Sequence, residues 1–133
     1  MKRVLIVEEG QWGMVKPEDY QALIKMYFDI LNTAKEPYGS EGRCVGYRKV
    51  AKVGIVATAA RSEEIIKSAP INDSITAVVF ISRGMEKEAE RIAKAYPKVR
   101  VIVFTGLIPE GKVIWVKKAT VDIETVRKIV LYP

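Results

Sequence analysis

Two adjacent carboxylates, Glu8 and Glu9, close the short apolar run Arg3 to Val7 and form the most chemically suggestive pair in the chain. Adjacent strand residues point to opposite faces, so both acids reach one divalent cation only where the strand has already ended. A second acidic cluster that would complete such a site is missing. Asp73 is the nearest candidate, and it precedes the third strand, at the wrong edge of a sheet. The next residues, Gly10-Gln11-Trp12-Gly13, place two glycines where backbone can approach a ligand, but the pattern is neither a dinucleotide fingerprint nor a P-loop. Further along, Thr58 and Arg61, then Ser82, Arg83 and Gly84, then Thr105 and Gly106 each follow an apolar run. Arg61 and Arg83 are expected either to grip an anion from the side or to be solvated loop arginines. Glu63, Glu64 and Glu86 are expected in helix first turns, where they complement the dipole and oppose phosphate. Cys44 has Arg43 and Arg48 nearby, yet the chain contains no His to act as its base.

These groups need a scaffold, and 133 residues suffice for one domain with a core of its own. The chain is 49% hydrophobic and 29% charged, which excludes wholesale disorder and low-complexity character. No apolar run approaches the roughly 18 residues of a membrane span, so a soluble, cytoplasmic protein without membrane contact is expected. The single Cys excludes an intramolecular disulfide, and the missing His removes the usual metal and acid–base sets. No metal and no cofactor are expected. Only four amide side chains accompany abundant Lys and Glu, the direction taken by thermophile proteins. Of the net charge of +6, all is local: residues 33–52 and 112–128 each hold five basic and two acidic groups.

The apolar pattern alternates between strands and helices. Arg3 to Val7 reads as a strand buried on both faces. Pro17 opens a helix whose stripe Tyr20, Leu23, Ile24, Tyr27, Phe28 and Leu31 is widened by Met26 and Ile30, broad enough for a core face or a homodimer surface. Thr33 to Lys49 is irregular, an insertion expected to be a lid, a small β-ribbon or a mobile segment. Val53 to Ala57 is the second core strand, Ser62 the expected N-cap of a helix to about Ala69, and Ile75 to Ile81 the third strand. A helix from Met85 to Tyr96 and a strand from Val99 to Phe104 follow. Residues 107–111 are too few for a crossover helix, so Lys112 to Lys117 is expected to return antiparallel as a hairpin. Asp122 caps the last helix, with Val121 and Val126 as its staple. The result is an α/β protein: a three-layer α/β/α sandwich, flavodoxin- or Rossmann-like, around a mostly parallel five-stranded sheet with an antiparallel C-terminal edge strand.

The order of these motifs resembles a response-regulator receiver domain. KRVLIVEEG resembles that family's first strand with its acidic pair, and AVVFIS the strand that carries its phosphoacceptor. VRVIVFTG resembles the strand ending in the switch hydroxyl, and VIWVKKATVDIETVRKIV the lysine-bearing strand and last helix. The resemblance implies that Glu8 and Glu9 are metal-binding acids, Thr105 the switch residue and Lys117 the phosphate-facing lysine. Ser82 stands where the family has aspartate, so the resemblance implies a degenerate pseudo-receiver that forms no acyl-phosphate. Eleven residues separate Thr105 from Lys117, too few for the family's intervening helix and strand. VLIVEEG also resembles the start of Toprim nuclease domains, whose later Asp-x-Asp is replaced here by Ser82-Arg83-Gly84.

In parallel sheets ligands bind beyond the carboxyl ends of the strands, near the point where strand order reverses. That rule selects Glu8, Glu9, Trp12, Arg61, Ser82, Arg83, Thr105 and Gly106. The expected function is a non-enzymatic regulatory or interaction domain, a homodimer that docks a protein partner or senses a small ligand at this rim. The alternatives are nucleic-acid binding through Arg43, Arg48, Lys49, Lys112, Lys117 and Lys118, and metal-dependent phosphodiester chemistry at Glu8 and Glu9.

Overall fold

A computed structural model of the protein describes residues 1–10, 16–82, 84–104, 114–116 and 122–132. Trp12, Arg83, Thr105, Gly106, Lys112, Lys117 and Lys118, together with the staple residue Val121, lie outside the described residues. Seven strands are described: β1 (Lys2–Val7), β2 (Lys35–Tyr38), β3 (Gly46–Lys49), β4 (Ala51–Val56), β5 (Ile75–Phe80), β6 (Arg100–Phe104) and β7 (Ile114–Val116). The helices are α1 (Pro17–Asn32), α2 (Ala59–Ser68), α3 (Glu86–Ala95) and α4 (Ile123–Leu131). Five strands form a parallel sheet in the order β4-β1-β5-β6-β7. The remaining two, β2 and β3, pair antiparallel in a separate ribbon. Among the described residues no helix is long and apolar enough to cross a membrane.

Alternation along the strands sorts their side chains onto two faces. Val4, Ile6, Ala77, Val79, Ile102 and Phe104 pack beneath α1 and α4, against Ile24, Tyr27, Leu31 and Val126. Leu5, Val7, Val78, Phe80, Val101 and Val103 pack beneath α2 and α3, against Ala59, Met85, Ala89 and Ile92. Both faces are therefore apolar, which is why the stretches Val4 to Val7, Ala77 to Phe80 and Val101 to Phe104 read as unbroken hydrophobic runs. The chain leaves β1 by α1 to reach β4, then passes by α2 to β5 on the other side of β1. Crossovers of one hand require a helix to change face when the direction of travel reverses, and α1 and α2 do lie on opposite faces.

The α/β/α architecture with a mostly parallel sheet is as the sequence indicates. The direction of the last strand is not. β7 pairs parallel with β6, through Ile102 with Ile114, Val103 with Trp115 and Phe104 with Val116, so the expected antiparallel hairpin does not form. The reason is register. Because pairing resumes opposite Ile102, the chain leaving Phe104 has to retrace only two residues, about 7 Å. The nine residues between Phe104 and Ile114 have a contour length of about 30 Å, more than that return requires.

Two local expectations are also corrected. Ser62 does not cap α2: the helix begins at Ala59, and Thr58 is its N-cap, with Oγ1 accepting from the Arg61 amide at 3.0 Å. Ser62 instead lies buried inside the helix and donates its hydroxyl to the Ala59 carbonyl at 2.6 Å. Glu63 and Glu64 consequently fall in the second turn, and the first turn of α2 carries no acid. Glu86 does occupy the first turn of α3. Asp122 caps α4 as expected, accepting from the Thr125 amide at 2.8 Å. Of the three forms considered for residues 33–49, the ribbon is the one observed.

Candidate functional site at the strand reversal

Strand order reverses at β1, whose neighbours β4 and β5 were reached in opposite directions, so a crevice is expected beyond its carboxyl end. Val7 is in register with Val56 on one side and Phe80 on the other. Two residues further on, Glu9 accordingly meets Thr58 and Ala59 to one side and Ser82 to the other. The Glu9 carboxylate accepts the Ala59 amide at 2.8 Å, and its backbone carbonyl accepts the Ser82 hydroxyl. A strand-end acid of β1 thereby satisfies one of the open amides at the N-terminus of α2, where a negative charge is favoured by the helix dipole. Gly10 follows with φ of 131°, a backbone conformation that side-chain-bearing residues rarely adopt.

Glu8 is held through its main chain. Its amide donates to the Val56 carbonyl at 3.0 Å, and its carbonyl accepts the Tyr20 hydroxyl at 3.2 Å. Tyr20 and Ser82 are each only 2% exposed. Burial pushes the Tyr20 phenol above its ordinary value, a hydrogen bond with Ser82 opposes that shift, and the nearby Glu8 charge adds to it. The Glu8 side chain itself makes no hydrogen bond or ion pair among the described residues.

Glu8, Glu9 and Ser82 are therefore brought together as the sequence implies. Arg61 is not turned to this crevice: its guanidinium pairs with Glu64 at 2.9 Å on the same helix, both ends exposed. Tyr20 joins the site although sequence reasoning places it only in the apolar stripe of α1. Its signal was available, because a phenol at the first turn of an amphipathic helix carries a polar tip that must find a partner once buried.

Among the described residues no group of three or more His, Cys, Asp or Glu is arranged to hold a metal ion. The basic residues proposed for nucleic acid divide. Arg48 pairs with Glu36 at 3.0 Å, Lys49 donates to the Asn32 side chain at 2.8 Å, and Arg43 lies exposed between β2 and β3.

A cavity of about 590 Å³ lies at the opposite end of the sheet, lined by Lys2, Ile75, Tyr96, Arg100, Val130 and Leu131 among others. Its two innermost cations are already engaged. Lys2 donates to the Leu131 carbonyl and Arg100 to the Val130 carbonyl at 3.3 Å, so they close the C-terminus of α4. The polar chemistry instead gathers at the carboxyl ends of β1 and β5, and the candidate site is placed there.

No family model, curated protein or solved structure matches this chain.

Proposed function

We propose that this chain is a non-enzymatic regulatory or interaction domain that senses a small ligand in the crevice between the carboxyl ends of β1 and β5. The observation that carries the reading is the different use of the two acids: the Glu9 carboxylate accepts the Ala59 amide at the start of α2, while the Glu8 carboxylate makes no hydrogen bond or ion pair among the described residues. Such a rim suits a ligand that presents a hydrogen-bond donor or a cationic group. With Glu9 engaged in the scaffold and Ser82 fastened to its carbonyl, a nucleophile paired with a base is absent from the described rim.

The test is an amide-resolved titration of the full chain with magnesium ion, spermidine and nucleotides. A binder should shift the amides of Glu8, Gly10, Ala59 and Ser82, and Glu8→Gln should weaken it at least tenfold. Turnover of a nucleotide or scission of nucleic acid by the purified chain, abolished by Glu8→Gln, would overturn the non-enzymatic reading.

A receiver-like origin is the second reading, favoured by the strand order and by the direction of β7. With all five strands parallel, the carboxyl end of β7 belongs to the same rim as those of β1 and β5, where that family holds its lysine. Ser82→Asp would restore the family's missing acid between Glu8 and Glu9. On this reading the variant, unlike the parent, gains thermal stability on adding magnesium; equal responses of the two proteins would count against it.

A further inference from the structure

The ribbon formed by β2 and β3 has two unlike faces. Residues directly opposite in an antiparallel pair share a face, as do residues two apart. The register pairs Lys35 with Lys49 and Pro37 with Tyr47, which puts two lysines and a tyrosine on one face. The other face carries Glu36 opposite Arg48 and Tyr38 opposite Gly46. There the charges neutralise each other at 3.0 Å, and the Tyr38 ring covers Gly46 so closely that an added Cβ would meet it at 3.2 Å.

The first face has no such balance. Like charges set directly opposite one another destabilise a strand pair, yet Lys35 and Lys49 are so placed, and neither makes an ion pair among the described residues. The only acid in either strand, Glu36, lies on the far side. Tyr47 is 68% exposed beside this pair. Lys49 bonds Asn32 at the C-terminus of α1, and Arg127 of α4, itself paired with Glu124 at 3.8 Å, reaches that same end, donating to the Ile30 carbonyl at 2.9 Å. The two basic segments of the sequence thus meet around one helix end. Between the strands the backbone packs on itself: the Val45 amide donates to the Tyr38 carbonyl at 2.8 Å, and a Cβ on Gly39 would strike the Arg43 carbonyl. The turn that joins the two strands is therefore closely packed.

We infer that this face binds single-stranded nucleic acid, with Lys35 and Lys49 on backbone phosphates and Tyr47 stacked on a base. A lysine pair with no acid on its face calls for an anion even with Lys49 bonded to Asn32, and an exposed ring beside it calls for a planar group. A single-stranded polynucleotide supplies both at close spacing. This site lies apart from the crevice at β1 and stands or falls independently of it.

The test is fluorescence anisotropy of the full chain with labelled single-stranded DNA and RNA across a salt series. Two phosphate contacts predict a log–log salt slope of about −1.4, so affinity falls about sevenfold when salt rises fourfold. Lys35→Gln with Lys49→Gln should flatten that slope nearly completely. Tyr47→Ala should weaken binding about fivefold or more and leave the slope unchanged. Glu36→Gln with Arg48→Gln removes the balanced pair from the opposite face and should alter affinity less than about twofold. The inference is overturned by an absence of binding at low salt, by equal loss in the opposite-face double variant, or by anionic lipid vesicles binding with the same lysine and tyrosine dependence.

Discussion

Removing the Glu9 side chain tests whether that acid is part of the scaffold. In the folded protein its carboxylate accepts the Ala59 amide at 2.8 Å, and Ala59 is only 2% exposed, so water has little access to replace the lost acceptor. Hydrogen bonds to charged groups contribute about 1.5–3 kcal/mol, and a buried donor left unpaired costs about 1–3 kcal/mol. These describe the same contact and are not summed. The favourable dipole interaction, about 0.3–1 kcal/mol, is likewise part of that figure. Glu9→Ala is accordingly expected to cost about 2 kcal/mol, and Glu9→Gln about half as much, because the amide oxygen still accepts while the charge is gone. Urea denaturation at neutral pH reads this directly. With a slope of about 2 kcal/mol/M, the midpoint falls by about 1 M for the alanine variant. Amide exchange at Ala59 should quicken with it. A midpoint within about 0.3 M of the parent would show that Glu9 does not hold α2, and the division of labour between the two acids would fail with it.

Tyr27 is 2% exposed, and burial pushes its phenol up to about 12. Its folded value exceeds the unfolded value near 10, so the stability it contributes is complete below about pH 10 and is lost as pH rises towards 12. That loss amounts to about 3 kcal/mol, and Tyr27→Phe should flatten this part of an alkaline stability profile. At the acid end, hydrogen bonds from Thr125 hold the Asp122 carboxyl below its usual range, so its contribution is present above the unfolded value and disappears as pH falls through the folded one. Asp122→Ala should remove that step from an acid titration followed by circular dichroism. Arg100, whose guanidinium is lowered in pKa by burial, closes the C-terminus of α4 beside Lys2. Arg100→Met keeps the apolar stem and should cost about 1 kcal/mol in thermal or urea unfolding, whereas loss of the fold would mark a larger role.

The parallel core was legible because two-sided burial leaves an unmistakable trace. AVVF and VIVF have no polar interruption, and a strand between two helix layers has no solvent face to record. The start of α2 was less so. Thr58 and Ser62 are equally good caps by type, and what separates them is that β4 ends at Val56, which lets the helix begin before Ser62. The direction of β7 depends on which residue of β6 it pairs with, and no local pattern encodes that register. At the site, the convergence of Glu8, Glu9 and Ser82 follows from the reversal rule alone. Arg61 was assigned to the rim although Glu64, three residues on, offers the usual helical ion-pair spacing, and that nearer partner is the one it takes. The two faces of the ribbon lay hidden in residues 35–49 until cross-strand pairing showed which lysine opposes which.

The capped helix also limits what the crevice can accept. A helix N-terminus ordinarily attracts phosphate or carboxylate, but at α2 that place is taken by an acid of the same chain. An anionic ligand would have to displace Glu9, forfeiting about 1.5–3 kcal/mol, roughly a ten- to hundredfold loss in affinity before any new contact is made. A cationic or donor-bearing ligand faces no such competition at Glu8 and gains from the neighbouring negative charge. Should such a ligand draw Glu9 towards itself, the Ala59 amide would lose its acceptor and the first turn of α2 would loosen. Occupancy at the end of β1 would then be felt along α2, which lies against β1, β4 and β5. On the proposed reading the competition at this rim is between Ala59 and the ligand for the Glu9 carboxylate, and Glu9→Gln, which removes the charge that both draw on, should weaken a cationic ligand held at Glu8 and narrow the change in α2 on binding.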